Sequence, residues 1–266
     1  MFYRILILIL AVAFVSVTAQ GQLVEEFNPP QANSCLALTA QSLADQLLDW
    51  NQLGRYYDEN QKLKNLPPEP NRVVFMGDSI TDFWNLSKYF PGKPYVNRGI
   101  SGQTTSQMLV RLFSDVINLK PAVMVLLAGI NDIAQNTGPQ TAEMVENNIQ
   151  AMTELAQQHG IKVILCSIMP VSDYPYLKQQ KGLIDSEIKT IKWTDSHPAG
   201  DIIKLNVWLK DYAQKVNAVY VNYFDAFVDD KGLLKDSYSD DGLHPNDEGY
   251  KVMNQIIEEA ILRSHK

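Results

Sequence analysis

From Val73 onward the chain alternates short, almost continuously apolar runs with longer stretches of helical period, and nothing else in it constrains the fold as strongly. The runs are Val73–Met76, Tyr95–Asn97, Ala122–Ala128, Lys162–Ile168 and Val219–Tyr223. A half-exposed strand alternates apolar with polar residues, whereas a strand covered by helices on both faces is apolar throughout. The pattern therefore predicts βα units building a parallel sheet. Between the runs, Met108, Leu109, Leu112, Phe113, Val116 and Ile117 recur at helical spacing, as do Met144, Val145, Ile149, Met152 and Leu155. The second stripe starts near Thr141 and stops at His159-Gly160; two more cover Ile202 to Val216 and Asp247 to Leu262. Residues 71–266 are thus expected to form one three-layer α/β/α domain. A helical N-terminal extension, residues 20–70, precedes it, its stripe from Thr39 to Leu66 halted by Pro67-Pro68-Glu69-Pro70.

The first residues read differently. Arg4 is followed by an unbroken apolar run from Ile5 to Val15 and then by Ser16-Val17-Thr18-Ala19. That is the order of a signal peptide, residues 1–19, with cleavage expected after Ala19 and a secreted or periplasmic product. The run is shorter than the roughly 20 residues a membrane-spanning helix needs, so stable membrane insertion is not expected, although an uncleaved anchor is the alternative reading. Of the two cysteines, Cys166 lies in an apolar run and reads as a buried small hydrophobe. Cys35 lacks the context of a lipid attachment site; export permits a Cys35–Cys166 disulfide but does not require one. A formal net charge of −7 without a basic run argues against nucleic acid as a partner. No His, Cys and Asp cluster has metal-ligand spacing, so no metal or other cofactor is expected.

In an open parallel sheet, ligands bind beyond the carboxyl ends of the strands. The loops there carry four groups that can do chemistry. Ser79, in Gly77-Asp78-Ser79-Ile80-Thr81, stands at a strand-to-helix turn and reads equally as a nucleophile or as a helix cap. Gly99-Ile100-Ser101-Gly102 allows close approach of backbone to a ligand, or simply a turn. In Gly129-Ile130-Asn131-Asp132, Asn131 can offer a neutral N–H to a developing oxyanion or make an Asx turn, and Asp132 is assigned to structure. Asp241, three residues before His244, can fold back to orient the imidazole.

Taken together, Gly77-Asp78-Ser79-Ile80, Gly102, Gly129-Ile130-Asn131-Asp132 and Asp241-Gly242-Leu243-His244 resemble the SGNH, or GDSL-type, esterase and lipase family. The resemblance runs from Val73 to about His244, with Ile80 where that family has Leu. It implies a flavodoxin-like fold with a five-stranded parallel sheet. It also implies Ser79 as nucleophile, His244 as general base and Asp241 as its partner, with the N–H groups of Ser79 and Gly102 and the Asn131 side chain forming an oxyanion hole. The expected activity is hydrolysis of short acyl esters, acetyl above all, on carbohydrate; the substrate partner is a small-molecule or glycan ester. A lysophospholipase or thioesterase, or a non-catalytic glycan-binding module, are the alternatives. Arg98, Trp84 and His197 are the candidate substrate contacts, with pairing to an acidic neighbour the alternative for Arg98 and loop structure that for His197, and Trp84, Tyr174, Tyr176 and Trp193 are weighed as rim aromatics against core packing. The stretch from Val171 to Gly200 is expected to hold substrate choice. Nothing in the sequence sets the oligomeric state.

Overall fold

A parallel five-stranded sheet forms the middle layer of the protein, for which a computed structural model describes residues 48–183 and 190–264. Its strands are β1 (Val73–Gly77), β2 (Tyr95–Gly99), β3 (Val123–Leu127), β4 (Lys162–Cys166) and β5 (Val219–Val221), in the order β2-β1-β3-β4-β5. Val73 pairs with Tyr95 on one side and Val123 on the other, and Ile164 pairs with Val219. This is the flavodoxin-like order, whose direction reverses between β1 and β3. The helices are α1 (Tyr57–Lys64), α2 (Ser79–Asp82), α3 (Leu86–Tyr89), α4 (Thr105–Asp115), α5 (Ile130–Ile133), α6 (Ala142–Gln158), α7 (Tyr174–Gln180), α8 (Ala199–Lys215), α9 (Tyr223–Phe227) and α10 (Asp247–Ser264).

Successive strand residues point to opposite faces, and both faces are covered. Val74, Met76, Met124, Leu126, Val163 and Leu165 enter a core shared with Met108 and Leu112 of α4, Ile149 and Met152 of α6, and Leu205 and Leu209 of α8. Val73, Phe75, Val123, Val125, Ile164 and Cys166 enter the other, with Trp84, Leu86 and, from α10, Tyr250, Met253 and Ile257. Two cores against one sheet are the physical reason the strands read as unbroken apolar runs. Ile80 packs in the second core, beneath the turn that carries Ser79.

From α1 to α10 the described residues belong to one compact unit. Within the extension, α1 ends three residues before Pro67, and its Leu63 packs on the first core. The expected signal peptide, Cys35, the first part of the extension and residues 184–189 lie outside the described residues. Cys166 is a free, buried thiol. Among the described residues no helix is long and apolar enough to cross a membrane, and no group of three or more His, Cys, Asp or Glu side chains is placed to hold a metal.

Candidate active site

The loops after β1, β2 and β3 and the turn before α10 meet at the carboxyl edge of the sheet. Asp78 caps the short α2, its carboxylate accepting the Ile80 N–H at 3.0 Å, which leaves Ser79 as the first helical residue. Across from it, His244 Nε2 lies 2.9 Å from Ser79 Oγ, and His244 Nδ1 lies 2.6 Å from Asp241 Oδ2. The other oxygen of Asp241 accepts the backbone N–H groups of Leu243 and His244 at 2.9 and 2.8 Å. One carboxylate therefore shapes the turn and orients the ring. Burial alone would raise its pKa, but the hydrogen bonds from the His244 ring and the two amides outweigh that and hold it at about 2. The turn also depends on Gly242, at φ +91°, where a Cβ would collide with the Ser172 carbonyl. Ser172 N–H donates to the Gly242 carbonyl at 2.8 Å, so the β4 loop clamps the histidine turn.

On the opposite flank, Asn131 Nδ2 donates to the Gln103 carbonyl at 3.0 Å, leaving its second N–H uncommitted, while its Oδ1 accepts from Asn136 Nδ2 at 2.9 Å. Asn136 Nδ2 also donates to the carbonyl of Gly102, whose φ of +79° turns the loop at that point. The amide N–H groups of Ser79 and Gly102 have no acceptor among the described residues. Beneath this loop lies a charged, buried network. Arg111 donates to the carbonyls of Gly77 and Arg98 and to Gln103 Oε1, at 3.0, 2.8 and 2.6 Å, and pairs with Asp115 at 3.0 Å. Asp132 accepts the N–H and, at 2.6 Å, the hydroxyl of Thr105, tying α5 to α4. The extension closes the network: Tyr56 Oη donates to the Gly99 carbonyl at 2.5 Å, and Gln103 Nε2 donates to the Asn51 carbonyl at 3.1 Å. Asp78 is buried beside it with one oxygen unpartnered among the described residues, and burial pushes its carboxyl up to about 7.

The structure thus brings Ser79, Asp241, His244, Gly102 and Asn131 together, but not the three residues expected to touch substrate. Arg98 is 2% exposed; its guanidinium donates twice to Asn60 Oδ1 of α1, at 2.9 and 2.8 Å, and lies over the Tyr56 ring. Of its two readings, ligand contact and pairing with neighbours, the second holds, because the extension supplies the partners. Trp84 is also 2% exposed, packed edge-on to Phe75 with its indole N–H donated to Asn254. His197 is 3% exposed, edge-on behind Trp193 at 5.6 Å, and its burial pulls the imidazole pKa down. Two other aromatics flank His244 instead. Phe83 stands 5.1 Å from its ring, and Trp193 stands 6.5 Å away, perpendicular to it, donating its indole N–H to the Asp241 carbonyl at 2.8 Å. Trp193 was among the rim candidates; Phe83 carried no pattern to mark it. Tyr174 is drawn off by Asp229, to which its hydroxyl donates at 2.5 Å.

Known proteins share this arrangement of chain. A solved candidate acylhydrolase from Bacteroides fragilis is 38% identical, with a TM-score of 0.70 over 82% of this chain and 99% of that one. An acetylxylan esterase from Geobacillus stearothermophilus is 18% identical, with a TM-score of 0.55 over 73% of this chain and 96% of that one, a likeness of fold. An uncharacterized lipoprotein of Bacillus subtilis is 23% identical over 222 residues, 71% of this chain and 88% of that protein. The GDSL-like lipase/acylhydrolase profile matches residues 75–252, from within β1 to within α10, and so takes in every loop of the site: the chain belongs to that family of hydrolases.

Proposed function

We propose that the protein is a serine esterase that removes short acyl groups, acetyl above all, from carbohydrate through an acyl-enzyme. The observation that carries this reading is the continuous relay from Asp241 to His244 to Ser79, at 2.6 and 2.9 Å, facing uncommitted N–H groups. Ser79 Oγ attacks the ester carbonyl while His244 Nε2 takes its proton. The N–H groups of Ser79 and Gly102 and the free Asn131 N–H receive the tetrahedral oxyanion. As the intermediate collapses, His244 returns the proton to the leaving alcohol. Water then attacks the acyl-Ser79 ester by the same route, releasing the acid. Nucleophile, base and anion donors are all groups of this chain, so the reaction as written needs no cofactor.

The carbohydrate part rests on the open, acidic surface beside His244 and agrees with a fold that serves deacetylation in the Geobacillus esterase. We also propose export with cleavage after Ala19, supported by the order of residues 1–19 and by the envelope character of a lipoprotein relative. The described part of the extension, residues 48–70, is then a brace that belongs to the hydrolase domain in function, since Tyr56, Asn60 and Asn51 hold its loops.

The test is hydrolysis of p-nitrophenyl acetate and octanoate by the wild type and Ser79→Ala, with intact-mass detection of fluorophosphonate labelling. Cleavage of acetate in preference to octanoate and a single label, both lost in Ser79→Ala, are the expected results. A folded wild type that neither hydrolyses nor labels would reject the relay, and a preference for octanoate would reject the short acyl group.

A further inference from the structure

A groove of about 600 Å³ lies beside the Asp241–His244 turn, lined by residues on either side of it in the chain. Three of its wall residues adjoin the relay: Phe83 packs on the His244 ring, Pro245 follows His244 in the chain, and Asp240 precedes Asp241. We propose that this groove is the subsite for the alcohol half of the ester and that it takes an uncharged polyol such as a sugar ring. The proposal rests on the reading of Ser79 and His244 given above.

Position argues for the alcohol half. The departing oxygen must receive its proton from His244 Nε2, so the body of the alcohol leaves past the imidazole. On the far flank of Ser79 the space is filled by Asn131, Gln103 and the buried Arg111 network. On the near flank Phe83 is 56% exposed, an apolar ring face turned to solvent between the imidazole and the groove. Such a face suits the C–H surface of a pyranose.

Chemistry argues for hydroxyl groups. Three carboxylates line the groove, and among the described residues each commits only one oxygen. Asp240 Oδ1 accepts from Asn246 at 3.0 Å, Asp247 Oδ1 from Lys88 and Tyr89 at 2.7 Å each, and Glu248 Oε1 from Lys251 at 2.5 Å. The second oxygens of all three have no partner among the described residues and are acceptors for ligand O–H groups. Charge narrows the class further. Lys88, the one cation among the described wall residues, is already paired with Asp247, so an alcohol bearing phosphate or carboxylate meets net negative charge. The groove thus favours neutral sugars over lysophospholipid headgroups and anionic thioesters.

The experiment compares kcat/KM for three acetyl esters: methyl acetate, which is too small to fill the groove, acetylated methyl glucoside, and its uronic acid counterpart. It uses the wild type, Phe83→Ala and the double variant Asp240→Asn/Glu248→Gln. In the wild type the glucoside is expected to exceed the uronate by about tenfold or more, the scale of one charged hydrogen bond gained or lost. The ratio of glucoside to methyl acetate should fall about tenfold in Phe83→Ala, and the double variant should bring the glucoside and uronate rates together. Equal glucoside and uronate rates in the wild type, or ratios that neither variant moves, would overturn the groove while leaving the esterase intact. A folded wild type that turns over none of the three esters and takes no fluorophosphonate label would overturn the esterase reading and the groove with it.

Discussion

The two flanks of Ser79 are built on opposite principles. On the Asn131 flank, Arg111 is 0% exposed, and the polar groups around it donate or accept internally. On the His244 flank, the Asp241 side chain is 47% exposed, and the aromatic beside the imidazole faces solvent. On the proposed mechanism the difference follows from what each must do. Donors that meet a developing oxyanion act best when they need not reorganise, which favours a dry and fully hydrogen-bonded surround. A base that takes a proton from the nucleophile and hands it to a departing alcohol must stay accessible to that alcohol. The contrast predicts that substitutions on the first flank reduce stability or kcat, and those on the second mainly shift specificity.

The strongest test is Arg111→Met. It leaves Asp115 buried without its partner and uncouples the carbonyls of Gly77 and Arg98. Breaking a buried pair in this way costs about 3–5 kcal/mol, which lowers Tm by roughly 10 °C in a domain of this size. Lys88→Met, which removes an exposed pair on the other flank, should leave Tm nearly unchanged in the same thermal melts. Equal losses would show that the open flank is as integral to the fold as the closed one. Next in size is Asn131→Ala. The loss of one oxyanion donor lowers kcat by about 10² to 10³ with little change in KM; turnover near the wild type would remove Asn131 from the hole.

Asp78 sharpens the comparison from beneath, because it is buried between the flanks with a carboxyl raised to about 7 by desolvation. Its folded state binds a proton more tightly than the unfolded chain does, so it costs nothing below the unfolded carboxylate range. The cost grows as pH rises toward 7 and is constant above it. Asp78→Asn keeps an acceptor for the Ile80 N–H and removes the charge. The variant should melt higher than the wild type at pH 8, by on the order of 2–4 kcal/mol of stability, with the gain shrinking toward pH 4. A difference independent of pH would mean that Asp78 does not titrate in this range.

How far the sequence revealed all this differed between the flanks too. The strands were legible because burial on both faces writes itself as a local apolar run, and the relay because Asp241 and His244 are joined by a single turn. The closed flank was not. Arg98 meets Asn60 across 38 positions and Arg111 meets Gly77 across 34, contacts that leave no period in the sequence. A lone arginine beside a glycine loop is as well explained by a ligand as by a partner in another helix. Trp84 failed for a related reason. Its ring fills the core beside Phe75 of the preceding strand while its N–H reaches Asn254 of α10, 170 positions away, and neither contact leaves a period in the sequence. Phe83, one position earlier, ends up beside His244 because α2 is only one turn long. An exposed Phe at a helix end has no partner in sequence that would mark it.

The smallest effect tests Trp193, where the open flank borrows from the logic of the closed one. Its indole N–H holds the Asp241 carbonyl at 2.8 Å while its ring stands edge-on to His244, so it both fixes the turn and walls the cleft. Two variants separate the roles. Trp193→Phe keeps an aromatic wall but removes a hydrogen bond worth about 1 kcal/mol, which allows the turn to relax and lowers kcat several-fold for every ester alike. Trp193→Ala removes the wall as well, and any further loss should appear in KM and depend on the size of the ester. If Trp193→Phe were indistinguishable from the wild type while Trp193→Ala lost affinity for large esters, the indole would be a wall alone. The turn would then be held by Ser172 and the Asp241 carboxylate without help from the segment that carries Trp193.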